Sequence, residues 1–171
     1  IILLGKDIEI RFVSLVKKAE DVCEEVVLFD YGSEDGTVEL AEKLSISSIQ
    51  FDNRPLANEI AKKICELEMF EKNIIIHITS SFRLKDLPML INRSNEDWDV
   101  HMSLLSGTLV IDDPINVPFS DVKFQHLCLS SKGLHSLSEL ESAQSSQDYP
   151  AIFQSVSFTL TLPLKSINVN H

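Results

Sequence analysis

Four short apolar segments, Ile1 to Leu4, Val26 to Phe29, Ile46 to Phe51 and Ile74 to Ile78, alternate along the first half of the chain with stretches of helical periodicity. Apolar segments of this length read as strands buried on both faces rather than as strands with one wet side. After the first, Ile8, Phe12, Leu15, Val16 and Ala19 recur at helical spacing. After the second, Asp35 is placed to cap a helix carrying Val38, Ala41 and Leu44 on one face. After the third, Pro55 suits the first turn of a helix whose stripe is Leu56, Ile60, Ile64 and Leu67, ending before Lys72-Asn73. The order β-α-β-α-β-α-β predicts an α/β fold: a mainly parallel central sheet, helices on both faces, and a ligand site at the C-terminal ends of the strands.

The second half is less regular. A short helix is expected over Asp86 to Ile91, strands at Val100 to Leu105, Thr108 to Ile111 and Val122 to Leu129, a helix near Leu134 to Glu141, and a last strand at Val156 to Leu162. Ser130 to Ser157, rich in serine and of mixed charge, reads as a mobile loop-helix-loop rather than a domain boundary. With 171 residues, 44% of them hydrophobic, the chain is long enough to bury a core as one domain without disulfides or a structural metal. Its opening in an apolar strand without an initiator Met is what a processed or truncated piece of a longer protein gives.

Charge narrows the partners. Fifteen Lys and Arg stand against 26 Asp and Glu, a net charge of -11 with no basic cluster, so nucleic acid and anionic membrane are not expected to bind. No apolar run approaches the roughly 20 residues that span a bilayer, and no signal peptide is visible. Cys23, Cys65 and Cys128 are odd in number and far apart, the pattern of buried, inert, reduced thiols in a cytoplasmic protein.

The stretch richest in chemistry is Val26 to Thr37. A buried strand ends in Asp30, a tight turn contains Gly32, and Asp35-Gly36-Thr37 opens a helix, which delivers one carboxylate to the sheet edge. A carboxylate there suits hydrogen bonding to a neutral base or a ribose. The glycine-rich patterns that cradle phosphate on backbone N–H groups are absent.

Phe29-Asp30-Tyr31-Gly32-Ser33-Glu34-Asp35-Gly36-Thr37 resembles the strand-end motif of the family 2 glycosyltransferases, and the likeness runs through Asn53-Arg54, Ala57-Asn58, Phe82-Arg83-Leu84 and Asp86-Leu87. The resemblance implies a GT-A fold, with residues 1–91 the nucleotide-binding half and 92–171 the acceptor-side half. It implies a nucleotide sugar or nucleoside diphosphate as ligand, an unknown acceptor, and a donor site drawn from Asp30, Tyr31, Gly32, Ser33, Asp35, Arg54, Asn58, Ser81 and Arg83. Asp30 matches the family's first Asp, which contacts the nucleoside; the second is replaced by Tyr31.

The family also carries an Asp-x-Asp that holds a divalent cation at the end of the fourth strand. Here that place reads Ile78-Thr79-Ser80-Ser81. Hydroxyls are poor sole ligands for Mg²⁺ or Mn²⁺, so the expectation is a degenerate metal site and no metal cofactor. Arg83 and Arg54 are the cations then available to a diphosphate, with Arg11 on the first helix a comparator of no expected role.

An inverting family member needs a carboxylate base. Asp148, in Gln147-Asp148-Tyr149, is the candidate, and the pair Asp112-Asp113 reads rather as turn carboxylates. His77 reads as a core histidine, and His101, His126 and His135 share no metal-ligand spacing. Trp98 and Tyr149 read as packing residues. Two functions remain open: a glycosyltransferase working without the usual metal, or a non-catalytic relative that binds a nucleotide or a protein.

Overall fold

The structure, a computed structural model, describes residues 1–68, 72–80, 82–88, 100–104, 124–139 and 158–161. The elements are β1 (Ile2–Gly5), α1 (Glu9–Glu20), β2 (Val27–Asp30), α2 (Thr37–Lys43), β3 (Ser47–Gln50), α3 (Ala57–Glu66), β4 (Lys72–Ile78), a 3₁₀ turn (Leu84–Asp86), β5 (Val100–Leu104), β6 (Phe124–Ser130), α4 (Ser131–Ser138) and β7 (Phe158–Thr161). The strands form one sheet in the order β3-β2-β1-β4-β6-β5-β7. Only β6 runs against the others: it is antiparallel to β4 and to β5, while β7 is parallel to β5.

The sheet separates two cores. On one face Ile2, Leu4, Val27, Phe29 and Ile75 meet Ala57, Ile60, Ala61 and Ile64 of α3 and Leu134 and Leu137 of α4. On the other, Leu3, Leu28, Ile76 and Ile78 meet Phe12, Leu15, Val16 and Ala19 of α1 and Ala41 of α2. Alternate residues of β1, β2 and β4 thus go to opposite cores, which explains why β1 and β2 are apolar without a break: neither has a wet face. β3 pairs with β2 alone, and as an edge strand it tolerates Ser47, Ser48 and Gln50.

The connections decide where a ligand can sit. The chain runs outward from β1 to β3 by way of α1 and α2 on one face. It then jumps back over β1 to β4 by way of α3 on the other face, as right-handed crossovers in opposite directions require. β1 lies between β2 and β4, parallel to both, with Gly5 level with Asp30 and Ile78. The crevice beyond the C-terminal ends of β1 and β4 is therefore the topological switch point.

Several boundaries differ from the sequence reading. Leu56 is the N-cap of α3, so Pro55 precedes the helix instead of standing in its first turn. The Leu56 N–H donates to the Glu59 carboxylate at 2.6 Å, half of a capping box. A 3₁₀ turn at Leu84–Asp86 stands where the helix from Asp86 was expected to begin. Ser130 caps α4 by accepting from the Gly133 N–H at 3.1 Å, so that the helix starts at Ser131, three residues before the expected Leu134. The expected strand at 108–111 and most of the serine-rich stretch lie outside the described residues. Among the described residues no helix is long and apolar enough to cross a membrane.

Candidate functional site

Two loops form the rim of the crevice, residues 6–8 after β1 and 31–36 after β2, and each supplies what the other lacks. Asp30 is fully buried at the end of β2. Its Oδ2 accepts from the N–H groups of Gly32 (3.1 Å) and Ser33 (3.0 Å), and its Oδ1 accepts from the Ser33 hydroxyl. Three hydrogen bonds to one carboxylate fold the chain into a turn over Gly32, whose φ of 90° lies in the left-handed region.

Ser33 then reaches across. Its Oγ accepts from the Asp7 N–H at 2.8 Å, and Asp7 Oδ1 accepts from the Glu34 N–H at 2.8 Å. A second reciprocal pair lies beside the first: the Glu9 N–H donates to Asp35 Oδ2 (3.2 Å), and the Gly36 N–H donates to Glu9 Oε2 (3.1 Å). The Thr37 hydroxyl, buried, donates to Asp35 and accepts from the Ile8 N–H at 3.0 Å. Asp7 holds φ 52°, a conformation that Asp tolerates better than most residues.

Asp35 is not the N-cap of α2, which is Gly36; from one residue earlier it accepts from the Thr37 N–H at 3.0 Å. Burial pushes its carboxyl pKa up. The Thr37 hydroxyl and the backbone N–H groups of Thr37 and Glu9 outweigh that and hold it below its ordinary value.

Tyr31, half-buried, is the first residue beyond β2. Its hydroxyl lies 2.8 Å from His77 Nε2, with the rings 5.8 Å apart at 53°. His77 is in β4, level with Leu4 and 4% exposed. Burial raises the Tyr31 pKa; Arg54 opposes the shift, while Asp30 and Asp7 add to it. Arg54, in the loop between β3 and α3, is lowered by its own burial yet stays charged at neutral pH. The motif's Tyr31 thus brings an uncharged, hydrogen-bonded phenol to a rim already holding Asp7, Glu9, Asp30, Glu34 and Asp35.

At the β4 exit, the Phe82 N–H donates to the Thr79 carbonyl at 3.0 Å. Arg11, in the first turn of α1, donates to the Thr79 carbonyl at 2.9 Å and to the Phe82 carbonyl at 3.1 Å. Arg11 is therefore no neutral comparator. Its partners are backbone carbonyls 68 and 71 residues away, and no sequence pattern announces them. Arg83 follows, exposed, and Asn58 lies in the first turn of α3. The described residues directly after β4, Thr79 and Ser80, carry hydroxyls. Among the described residues no three His, Cys, Asp or Glu side chains converge on one point.

The structure gathers Asp30, Tyr31, Gly32, Ser33 and Asp35 on one rim. Asp148, Ser81, Trp98, Tyr149, Asp112 and Asp113 lie outside the described residues. Of the cysteines only Cys128 is buried, its Sγ 2.9 Å from His126 Nε2; Cys23 and Cys65 are half-buried, which corrects the expectation of three buried thiols. Besides Arg11, sequence reasoning missed Asp7 and Glu9. The one available signal was their position just after a strand facing the Asp30 motif.

No protein-family model matches the chain, and no curated protein matches it. Solved structures do. Glucosyl-3-phosphoglycerate synthase from Mycobacterium tuberculosis, in complex with Mn²⁺, UDP-glucose and phosphoglyceric acid, superposes with a TM-score of 0.58 at 14% identity, over 94% of this chain and 68% of that one. The same enzyme in complex with UDP gives 0.56 at 11% identity, over 99% of this chain and 72% of that one. HddC from Yersinia pseudotuberculosis gives 0.56 at 16% identity, over 94% and 88%. At such identities the likeness is one of fold, and it agrees with the strand order and the switch point: the chain has the GT-A-like α/β fold of nucleotide-diphospho-sugar transferases.

Proposed function

We propose that the chain binds a nucleoside diphosphate sugar in the crevice beyond β1 and β4 and passes the sugar to an acceptor. The observation that carries this reading is the Asp30 turn, held rigid by the loop after β1 at the topological switch point. The solved relatives in fold that hold UDP or UDP-glucose support it.

In this reading Asp30, with Ser33 and Gly32, forms the nucleoside end. Asp30 has lone-pair capacity beyond the three hydrogen bonds it accepts. Uracil offers it an imide N–H and ribose offers hydroxyls, so uridine is the expected nucleoside. Tyr31 and Asn58 line the middle, and Asp35 holds the rim. The diphosphate brings negative charge to an acidic edge, and Arg54, Arg83 and Ser81 receive it without a divalent cation. Asp148 takes the proton of the acceptor hydroxyl. A cytoplasmic site of action fits the three free thiols.

Thr79 and Ser81, which stand in the sequence where the family has its metal carboxylates, favour a second reading, a nucleotide-binding relative without turnover. Calorimetry with UDP, with and without Mn²⁺, tests the binding both readings share. We expect binding that changes less than about threefold with Mn²⁺, and a loss of roughly ten- to a hundredfold in Asp30→Asn. Absence of UDP binding by the wild type refutes both. Release of sugar from UDP-sugars, followed by chromatography, separates them.

A further inference from the structure

We propose that Cys65 is a modification site: a nucleophilic thiol, with His135 as its base, that exchanges with low-molecular-weight disulfides. The pair lies between α3 and α4, at the end of α3 that leads into β4 and away from the strand exits, and the inference goes beyond the nucleotide reading above.

The two side chains are 70 residues apart in sequence, and the packing of α3 on α4 brings Cys65 Sγ to 4.0 Å from His135 Nδ1. Cys65 is the last residue but one of α3 and packs against the core that Leu134 and Leu137 of α4 enter. The sulfur is half-buried and His135 is exposed, so apolar packing holds the thiol in place while the imidazole is open to water. In disulfide exchange the thiolate is the nucleophile, and an imidazole within reach of the thiol is the base that produces it.

The other two cysteines each lack one requirement. Cys23 is half-buried as well, but its thiol donates to the Glu25 carbonyl at 3.3 Å, and a carbonyl is no base. Cys128 has His126 Nε2 at 2.9 Å, but both residues are fully buried in β6, between β4 and β5, where a reagent has no access. Of the three cysteines, Cys65 combines access with a base.

His135 serves in the tautomer with Nδ1 unprotonated. The Cys65 S–H proton passes to Nδ1 as Sγ attacks one sulfur of the disulfide. A new S–S bond forms, the old one breaks, and the departing thiolate takes the proton from the imidazolium. The incoming disulfide is the oxidant, and one thiol is released for each cysteine modified.

Reaction of the folded chain with glutathione disulfide, followed site by site by peptide mass in wild type and His135→Gln, tests this. The same chains in urea give the rates of the unstructured thiols. His135 is exposed, so glutamine there leaves the core untouched. We expect Cys65 to react about tenfold or more faster than Cys23 in the folded wild type, with Cys128 unmodified. In His135→Gln, Cys65 is expected to slow about tenfold or more, while Cys23 stays within about twofold of its wild-type rate. In urea the advantage of Cys65 over Cys23 is expected to vanish, because only packing delivers the histidine. Equal rates at Cys65 and Cys23 in the folded chain overturn the proposal. An unchanged or faster Cys65 in His135→Gln also overturns it, since the histidine would then be a cover over the sulfur and not its base. An advantage of Cys65 that survives in urea overturns it too, because local sequence would then account for the rate.

Discussion

The hydroxyl of Tyr31 stands 2.8 Å from Nε2 of His77, so a residue just past the end of β2 is hydrogen-bonded to the interior of β4 across the intervening strand β1. The bond ties the turn that carries the candidate site to the middle of the sheet. Tyr31→Phe removes it at little change in volume and is expected to cost about 1–2 kcal/mol, read from the urea midpoint at neutral pH.

The same pair has a signature in alkali. Burial raises the Tyr31 pKa above its ordinary value of 10.0, so the folded chain holds this proton more tightly than the unfolded chain. The stabilisation is complete below pH 10 and is lost as pH rises through the folded value. Wild type is thus expected to lose more stability than Tyr31→Phe above pH 10. Equal slopes would mean that the phenol is not perturbed.

Asp35 runs in the opposite direction. Its carboxyl is held below the ordinary value of 3.8, so its contribution is present above that pH and is lost as pH falls through the folded value. Asp35→Asn is expected to flatten the acid limb of a stability-versus-pH curve. Asp35→Ala, which leaves the N–H groups of Glu9 and Thr37 without their acceptor, is expected to cost about 0.5–2 kcal/mol at neutral pH.

Gly32 and Gly36 predict a contrast within one loop. A methyl group at Gly32 meets nothing within 4 Å, but φ there is +90°, so Gly32→Ala is expected to cost about 1–2 kcal/mol from backbone strain alone. At Gly36 a Cβ would lie 2.6 Å from Glu9 Oε1. Gly36→Ala is expected to displace Glu9 and break its bond to the Gly36 N–H. In Glu9→Ala the second substitution should therefore become nearly silent, a coupling that a double-mutant cycle measures.

Arg54→Ala and Arg83→Ala are each expected to weaken UDP by roughly 1.5–3 kcal/mol and uridine by far less, because a lost charge-assisted hydrogen bond is felt only by the diphosphate. Calorimetry at two salt concentrations checks this. Equal losses for both ligands would move the arginines away from the phosphates.

Much of the sheet was legible because β1, β2 and β4 each satisfy two cores at once. Ile2, Leu4, Leu3 and Leu28 go to opposite faces, and only a continuous apolar run can do that. Helix ends were less legible. Pro55 lies two residues before the first turn of α3 and Asp35 one residue before the N-cap of α2, because Glu59 and Thr37 supply the bonds that set the start. The Asp30 turn could be read because its partners are two and three residues away. The hold of Arg11 on Thr79 and Phe82 could not, since backbone carbonyls have no sequence identity. The bond from Tyr31 to His77 was equally hidden: it depends on the register of β4 against β1, which neither residue encodes by itself.

The exchange between the loops after β1 and β2 bears on how such a rim can change over time. Asp7 serves Glu34 while Ser33 serves Asp7, and Glu9 serves Gly36 while Asp35 serves Glu9. Neither loop can be grafted into another scaffold by itself, because each arrives with donors and acceptors whose counterparts stay behind. Drift in one loop is constrained by the other, so the two should be inherited as a single cassette, and recombination breakpoints between residues 9 and 30 should be selected against.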